Sequence, residues 1–128
     1  MTLAVRAMTQ LAGWPDLTEA PASCGAGRAL RSARGEIVHF HSDREVDLHL
    51  TASAIRRFTA EFLGSPAIRM VQGSPWVTIR LAGNADVDLL MTLVSLALKA
   101  HQTWPVPGDA LQPPCNDHFR AAVPREDS

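Results

Sequence analysis

The sequence lacks the features that mark several large classes of protein. Its net charge is −1 with neutral histidines, so no basic excess indicates a dedicated nucleic-acid binder, and nucleic acid is not an expected partner. The chain has only two cysteines, Cys24 and Cys115. Neither has a neighbour at the close spacing of a cysteine zinc motif. We therefore expect two reduced thiols rather than a disulfide framework.

Long hydrophobic runs are also missing. The longest apolar stretch, residues 87–100, is interrupted by Asp88, Thr92, Ser95 and Lys99, and it is too short to span a bilayer. The N-terminal residues do not show the charged start, apolar run and cleavage site of a secretory signal. The G-x-G-x-x-G and G-x-S-x-G motifs of dinucleotide-binding proteins and hydrolases are absent. These absences predict a soluble, cytoplasmic protein with no membrane partner.

What the sequence does contain fits one small domain. A chain of 128 residues, 46% of them hydrophobic, can bury a single core. We place the domain at residues 1–102. Prolines at 105, 107, 113, 114 and 124 interrupt the remainder, so residues 103–128 are predicted to be a mostly disordered tail whose start is held to the core by Trp104.

Hydrophobic periodicity predicts three helices and two hairpins. In chain order the elements are a helix at 2–12, a loop at 16–27, an edge strand at 28–33, a hairpin at 36–50, a helix at 53–63 capped by Ser53, a hairpin at 68–81 and a helix from 84 onward. This order, α-β(3)-α-β(2)-α, indicates an α+β fold. We expect a two-layer sandwich in which helices cover one face of an antiparallel sheet of four to five strands.

The first hairpin gathers polar residues on one side of the sheet. Side chains alternate along a strand, so Val38 and Phe40 face the core while the residues between them face away. The same alternation applies to the second strand. The polar face is then predicted to carry His39, His41, Asp47 and His49. A three-residue turn at 43–45 would pair Phe40 with Leu48, His41 with Asp47, and His39 with His49.

The second hairpin adds to the same polar face. Arg69, Trp76 and Arg80 alternate with apolar residues, and together they indicate an aromatic platform with cationic rims for an anionic or planar ligand. The alternative is a packed Trp76 beside solvated arginines. The last helix is apolar on most of its surface, so residues 87–100 form either the central core helix or the interface of a homodimer.

Several of these residues lie in a pattern that resembles a known family. The hairpin carries Glu36, His39, His41 and Asp47, the later strand carries Gly73-Ser74-Pro75-Trp76-Val77, and the last helix begins Asn84-Ala85-Asp86-Val87. Together with residues 14–19 they resemble the bacterial and fungal "luciferase domain" family over about residues 10–102. Arg44 and His49 depart from the family pattern, which commonly has glycine and proline there. The element order is also similar to that of double-wing domains of the YjbR type.

The resemblance implies a fold and no particular reaction, so the candidate site must be interpreted from its residues. Three imidazoles and a carboxylate, from His39, His41, His49 and Asp47, could bind zinc and activate water for hydrolysis. Without a metal, a histidine–aspartate pair near Ser42 or Thr51 could act as a general base. Alternatively, the polar side chains are hydrogen-bonded to Asp47 or Glu36 and are solvated.

The hypothesis that we prefer from the sequence is a non-catalytic module for a ligand or a protein partner. Its working surface would be the polar sheet face, with the metal-dependent enzyme as the alternative. The candidate ligand-binding residues are His39, His41, Asp47, His49, Arg69, Trp76 and Arg80.

Overall fold

A computed structural model describes residues 2–21, 27–33, 35–40 and 42–103. Some of the residues on which the sequence predictions depend lie outside this range: His41, both cysteines, Trp104, and the tail from residue 104 onward. The described chain has the element order α1 (Leu3–Ala12), β1 (Thr18–Pro21), β2 (Arg28–Ser32), β3 (Gly35–Phe40), β4 (Glu45–His49), α2 (Ala52–Leu63), β5 (Ile68–Met70), β6 (Trp76–Arg80) and α3 (Asn84–Thr103). The predicted α+β class is confirmed.

The sheet has six antiparallel strands in the order β1-β2-β3-β4-β6-β5, rather than four or five. The additional strand is β1, which occupies part of the predicted loop. It has four residues, three of them exposed and none buried, so it shows no apolar alternation in the sequence. Pro21, which cannot donate a backbone hydrogen bond, is tolerated because β1 forms the edge. Strand β2 is therefore not the edge strand that the sequence predicts.

All three helices contribute to one hydrophobic core on the inner face of the sheet. Leu11 of α1, Phe62 of α2 and Leu90 of α3 join the buried inner-face residues of the strands in this core. Thr51, rather than the predicted Ser53, caps α2, since the Thr51 hydroxyl accepts a hydrogen bond from the Ala54 amide at 3.2 Å. None of the helices in the described residues has the length and hydrophobicity needed to span a membrane.

The register of the first hairpin differs from the predicted one by two residues. Val38 lies opposite Leu48, His39 opposite Asp47 and Phe40 opposite Val46. The physical reason is the connection, where the Ser42 hydroxyl accepts hydrogen bonds from the amides of Arg44 and Glu45 and so centres the turn earlier in the chain. A shift of two residues leaves every side chain on its predicted face.

Candidate functional site

A buried polar cluster lies on the outer face of the sheet, the side opposite the hydrophobic core, and at one end of the strands. We call it the outer-face cluster. Its members are six strand residues that share the outer face, Glu36, His39, Asp47, His49, Trp76 and Thr78, and His101, which contacts His49 from the end of α3. Each is no more than 2% exposed, so this face is not the open, solvated surface that the sequence predicts.

A β-bulge brings the first two members together. Leu30 pairs with Val38 and Arg31 with Glu36, so Ile37 is an extra residue of β3 without an opposite partner. The bulge interrupts the alternation and turns Glu36 to the face of His39. There the His39 Nε2–H donates to the Glu36 carboxylate at 3.0 Å. The sequence allows either Asp47 or Glu36 as a partner of this imidazole, and the structure shows the bond to Glu36.

The second carboxylate of the cluster is held by a hydroxyl. Asp47 lies between His39 on β3 and Thr78 on β6 in the strand register, and the Thr78 hydroxyl donates to Asp47 Oδ1 at 2.6 Å. The bond gives one oxygen of this buried carboxylate a hydrogen-bond partner. The ionic partner of His39 is Glu36, at 3.0 Å.

Trp76 packs between imidazoles instead of offering an exposed platform. Its indole lies 4.6 Å from the His39 ring and 4.9 Å from the His49 ring, measured between centroids. The side chain is 0% exposed, so a planar ligand cannot stack on it in this conformation. Of the two predictions for Trp76, the structure supports a packed side chain rather than an exposed platform.

His49 is the most strongly perturbed titratable group of the cluster. Within the described residues neither of its ring nitrogens has a hydrogen-bond partner, although the ring is 1% exposed. Burial, together with smaller effects of the neighbouring His101 and His39, lowers its pKa from 6.5 to about 3. The imidazole is therefore neutral at physiological pH, and its contacts with neighbouring rings take the place of hydrogen bonds.

His101, near the C-terminal end of α3, completes the cluster from a distant part of the chain. Its Nε2–H donates to the backbone carbonyl of His49 at 2.9 Å, and the two rings lie 4.6 Å apart between centroids. The sequence analysis missed this residue as a site member. A signal was available, because His101 follows Val94 and Ala97 at helical spacing and so shares the buried side of α3 with them.

The backbone beside His49 is strained. Thr51 has φ 79° and ψ 150°, a region that side chains with a branched β-carbon rarely enter. It is the one described residue other than glycine with a positive φ. Such residues concentrate at functional sites, since only a strongly determined surrounding structure keeps them there.

A cavity of about 730 Å³ adjoins the cluster at His101. It lies between the α1–β1 connection, the end of β2 and the last turns of α3. Its lining residues are Pro15, Asp16, Thr18, Arg31, Ser32, Ala33, Leu98, His101 and Gln102. A second cavity, of about 540 Å³, lies beside α1 and includes Met8 in its lining, but no cluster member borders it.

The two predicted arginines are exposed and are not part of the buried cluster, although Arg69 lies opposite Thr78 in the strand register. Arg69 is exposed and binds the carboxylate of Glu45 at 3.0 Å, and Arg80 is exposed at the far end of β6. The structure thus brings together His39, Asp47, His49 and Trp76 among the predicted site residues. Arg69 and Arg80 remain exposed, whereas the indole is buried between imidazoles.

The metal hypothesis gains no support from the described part of the chain. No group of three or more histidine, cysteine, aspartate or glutamate side chains there has the arrangement of a metal site. His41, one of the four predicted ligands, lies outside that part. A site that uses His41 stays a prediction.

The fold and the cluster define a small α+β domain with a hydrophobic inner sheet face and a buried polar outer one. The family model of the Luciferase domain matches residues 34–97, half of the chain. The chain therefore belongs to the Luciferase domain family, as the motif resemblance implies. The matched segment contains every cluster member except His101. Neither the curated proteins nor the solved structures include a match.

Proposed function

We propose that this protein is a non-catalytic binding module that takes a small polar ligand in the cavity beside His101. The observation that carries the proposal is the shared wall: His101 lines the cavity, and its ring packs on His49. A ligand in the cavity would thus lie beside the outer-face cluster. The cavity volume lies within the range of small-molecule sites.

The composition of the cluster supports a functional role. Burying ionisable side chains costs free energy that apolar residues of similar size would not. The inner face of the same strands consists of apolar residues, so the fold does not need polar groups to pack a sheet face. Two buried carboxylates, three buried imidazoles and a strained backbone at one end of one face indicate selection for something other than stability.

The hydroxyls near the cluster support binding rather than nucleophilic catalysis. The Thr78 hydroxyl donates to Asp47, and the Thr51 hydroxyl caps α2. The Ser42 hydroxyl is engaged by turn amides. None of these contacts places a hydroxyl on an imidazole, which is what activates a nucleophile.

The experiment compares two substitutions that fill different cavities. Leu98→Trp places a large side chain in the cavity beside His101, and Met8→Trp does the same in the cavity beside α1. A library of small polar compounds is screened by NMR against the ¹⁵N-labelled and histidine-ring-labelled protein. We expect compounds that shift the His101 and His49 ring signals, with binding lost in Leu98→Trp and retained in Met8→Trp.

Two results would count against the proposal. Compounds whose binding is lost only in Met8→Trp would move the site to the α1 cavity. A screen in which no compound shifts the two histidine rings would remove the ligand site beside His101. The metal-dependent alternative is tested separately by metal analysis of the purified protein and of a His39→Ala, His41→Ala double variant. A stoichiometric ion lost in that variant would favour it.

A further inference from the structure

The cavity beside His101 has charged residues of opposite sign in its lining. Asp16, in the connection between α1 and β1, and Arg31, on β2, both line it. Within the described residues neither side chain takes part in an ion pair. The two charged groups therefore share one cavity without neutralising each other.

The strand register places the two charges on the same stretch of wall. Arg31 is the cross-strand partner of Thr18, and Asp16 precedes Thr18 by two residues. Arg31 and Asp16 are both exposed residues of the cavity lining. Charges that only interact with solvent have no reason to line the same cavity. A ligand with charges of both signs needs an acidic and a basic side chain in one cavity.

The remaining walls add an apolar surface and amide groups. Leu98 is half-buried and packs against the core, and Pro15 and Ala33 lie beside it in the lining. Gln102 supplies an amide that can donate and accept. A compound that fits these walls has a charged end and an apolar group that packs against α3.

We infer that the ligand is a zwitterion of the free amino acid class, with an apolar side chain. Its ammonium group lies at Asp16, its carboxylate binds the Arg31 guanidinium, and its side chain packs against Leu98. Arginine suits the carboxylate because its planar fork donates two parallel hydrogen bonds. The inference rests on the proposed function, since it names the ligand class of the same cavity.

The test uses three probes of matched shape. Leucine carries both charges, isocaproate lacks the ammonium group and isoamylamine lacks the carboxylate. Binding to the full chain is measured by calorimetry and by NMR titration. Because each exposed ion pair contributes modestly, we expect leucine to bind roughly fivefold more tightly than either analogue.

Two charge variants assign the two ends of the ligand. In Asp16→Asn, leucine should lose its advantage over isocaproate, and in Arg31→Gln it should lose its advantage over isoamylamine. Asp43→Asn and Arg44→Gln are the matched controls, because both are exposed and outside the cavity lining. The controls should preserve the wild-type order of affinities.

The outcomes separate this inference from the proposed function. If other compounds bind and Leu98→Trp abolishes their binding while leucine shows no preference over its analogues, the zwitterion assignment is wrong and the cavity remains a ligand site. An unchanged preference in both charge variants would also overturn the assignment. If no compound binds in the cavity, both proposals fail.

Discussion

Replacing His49 by leucine should make the stability of this protein less sensitive to acid. The folded chain holds the imidazole neutral, with its pKa lowered from 6.5 to about 3 mainly by burial. The unfolded chain takes up a proton on the same group near pH 6.5. Between these two values the unfolded state binds more protons, so the free energy of unfolding falls as the pH falls.

The magnitude follows from the two pKa values. The contribution is constant above the unfolded pKa of 6.5, and it is lost progressively as the pH falls towards about 3. The slope approaches about 1.4 kcal/mol for each pH unit, and the complete loss amounts to roughly 5 kcal/mol. A loss of that size is comparable with the whole stability of many small domains.

The assay is urea unfolding of wild-type and His49→Leu protein at several values between about pH 7 and pH 4. Leucine fills a similar volume, and the His49 ring makes no side-chain hydrogen bond within the described residues. The variant should therefore match or exceed the wild type at neutral pH and lose less stability in acid. His101 and His39, whose charges act on His49, are present in both proteins.

Val46→Ala provides the control, because Val46 is buried in the hydrophobic core of the same strand and does not titrate. This substitution should lower the free energy of unfolding by roughly 2 kcal/mol at every pH without changing the slope. If the curves of wild type and His49→Leu run parallel across the acid range, His49 is not the group that the folded state keeps neutral.

The other predictions concern strain, a buried hydrogen bond and assembly. Thr51→Gly should relieve a strain of about 1–3 kcal/mol, partly offset by the lost hydroxyl cap and by the flexibility of glycine in the unfolded chain. Thr51→Ala keeps the strained φ and loses the cap at a cost of about 1 kcal/mol. Equal thermal stabilities of the two variants would contradict the strain. Thr78→Val should lower the free energy of unfolding by about 1–3 kcal/mol in urea, because it removes the hydrogen bond to buried Asp47, and an unchanged value would show that the bond is dispensable. The homodimer predicted through residues 87–100 requires a doubled mass in light scattering, and a monomer mass would refute it.

The apolar surface of α3 bears on that last prediction. Val87, Leu90, Leu93 and Val94 are buried in the core, and the other large apolar side chains of the helix are partly buried against it. The large hydrophobic residues that stand exposed in the described chain belong to α1 and α2. The sequence could not distinguish a core helix from a subunit interface, because both need the same composition.

Strand alternation was sufficient to predict which residues share the outer face. His39, Asp47, His49 and Trp76 lie together there because a period of two survives a register shift of two residues. Alternation could not predict the pairing of Glu36 with His39. That pairing depends on the bulge at Ile37, and a bulge is fixed by how β3 meets β2 rather than by local sequence.

Burial of the polar face was the other feature beyond the reach of sequence. Polar residues that alternate with apolar ones are typical of a sheet with one solvated face, so exposure was the natural expectation for Asp47 and His49. His101 could not be assigned to the site because 52 residues separate it from His49. Such contacts follow from the packing of α3 along the sheet, which local patterns do not specify.

The antiparallel order of the strands explains why these separate features meet at one end of the molecule. β4 ends where β6 begins, as the pairing of His49 with Trp76 shows. The bulged start of β3 lies beside the end of β2, and α3 brings His101 to the same end. None of the cluster members belongs to the inner-face core. Changes at the exposed cavity lining, such as Arg31→Gln, should therefore alter ligand binding, whereas Val46→Ala in the core should alter stability alone.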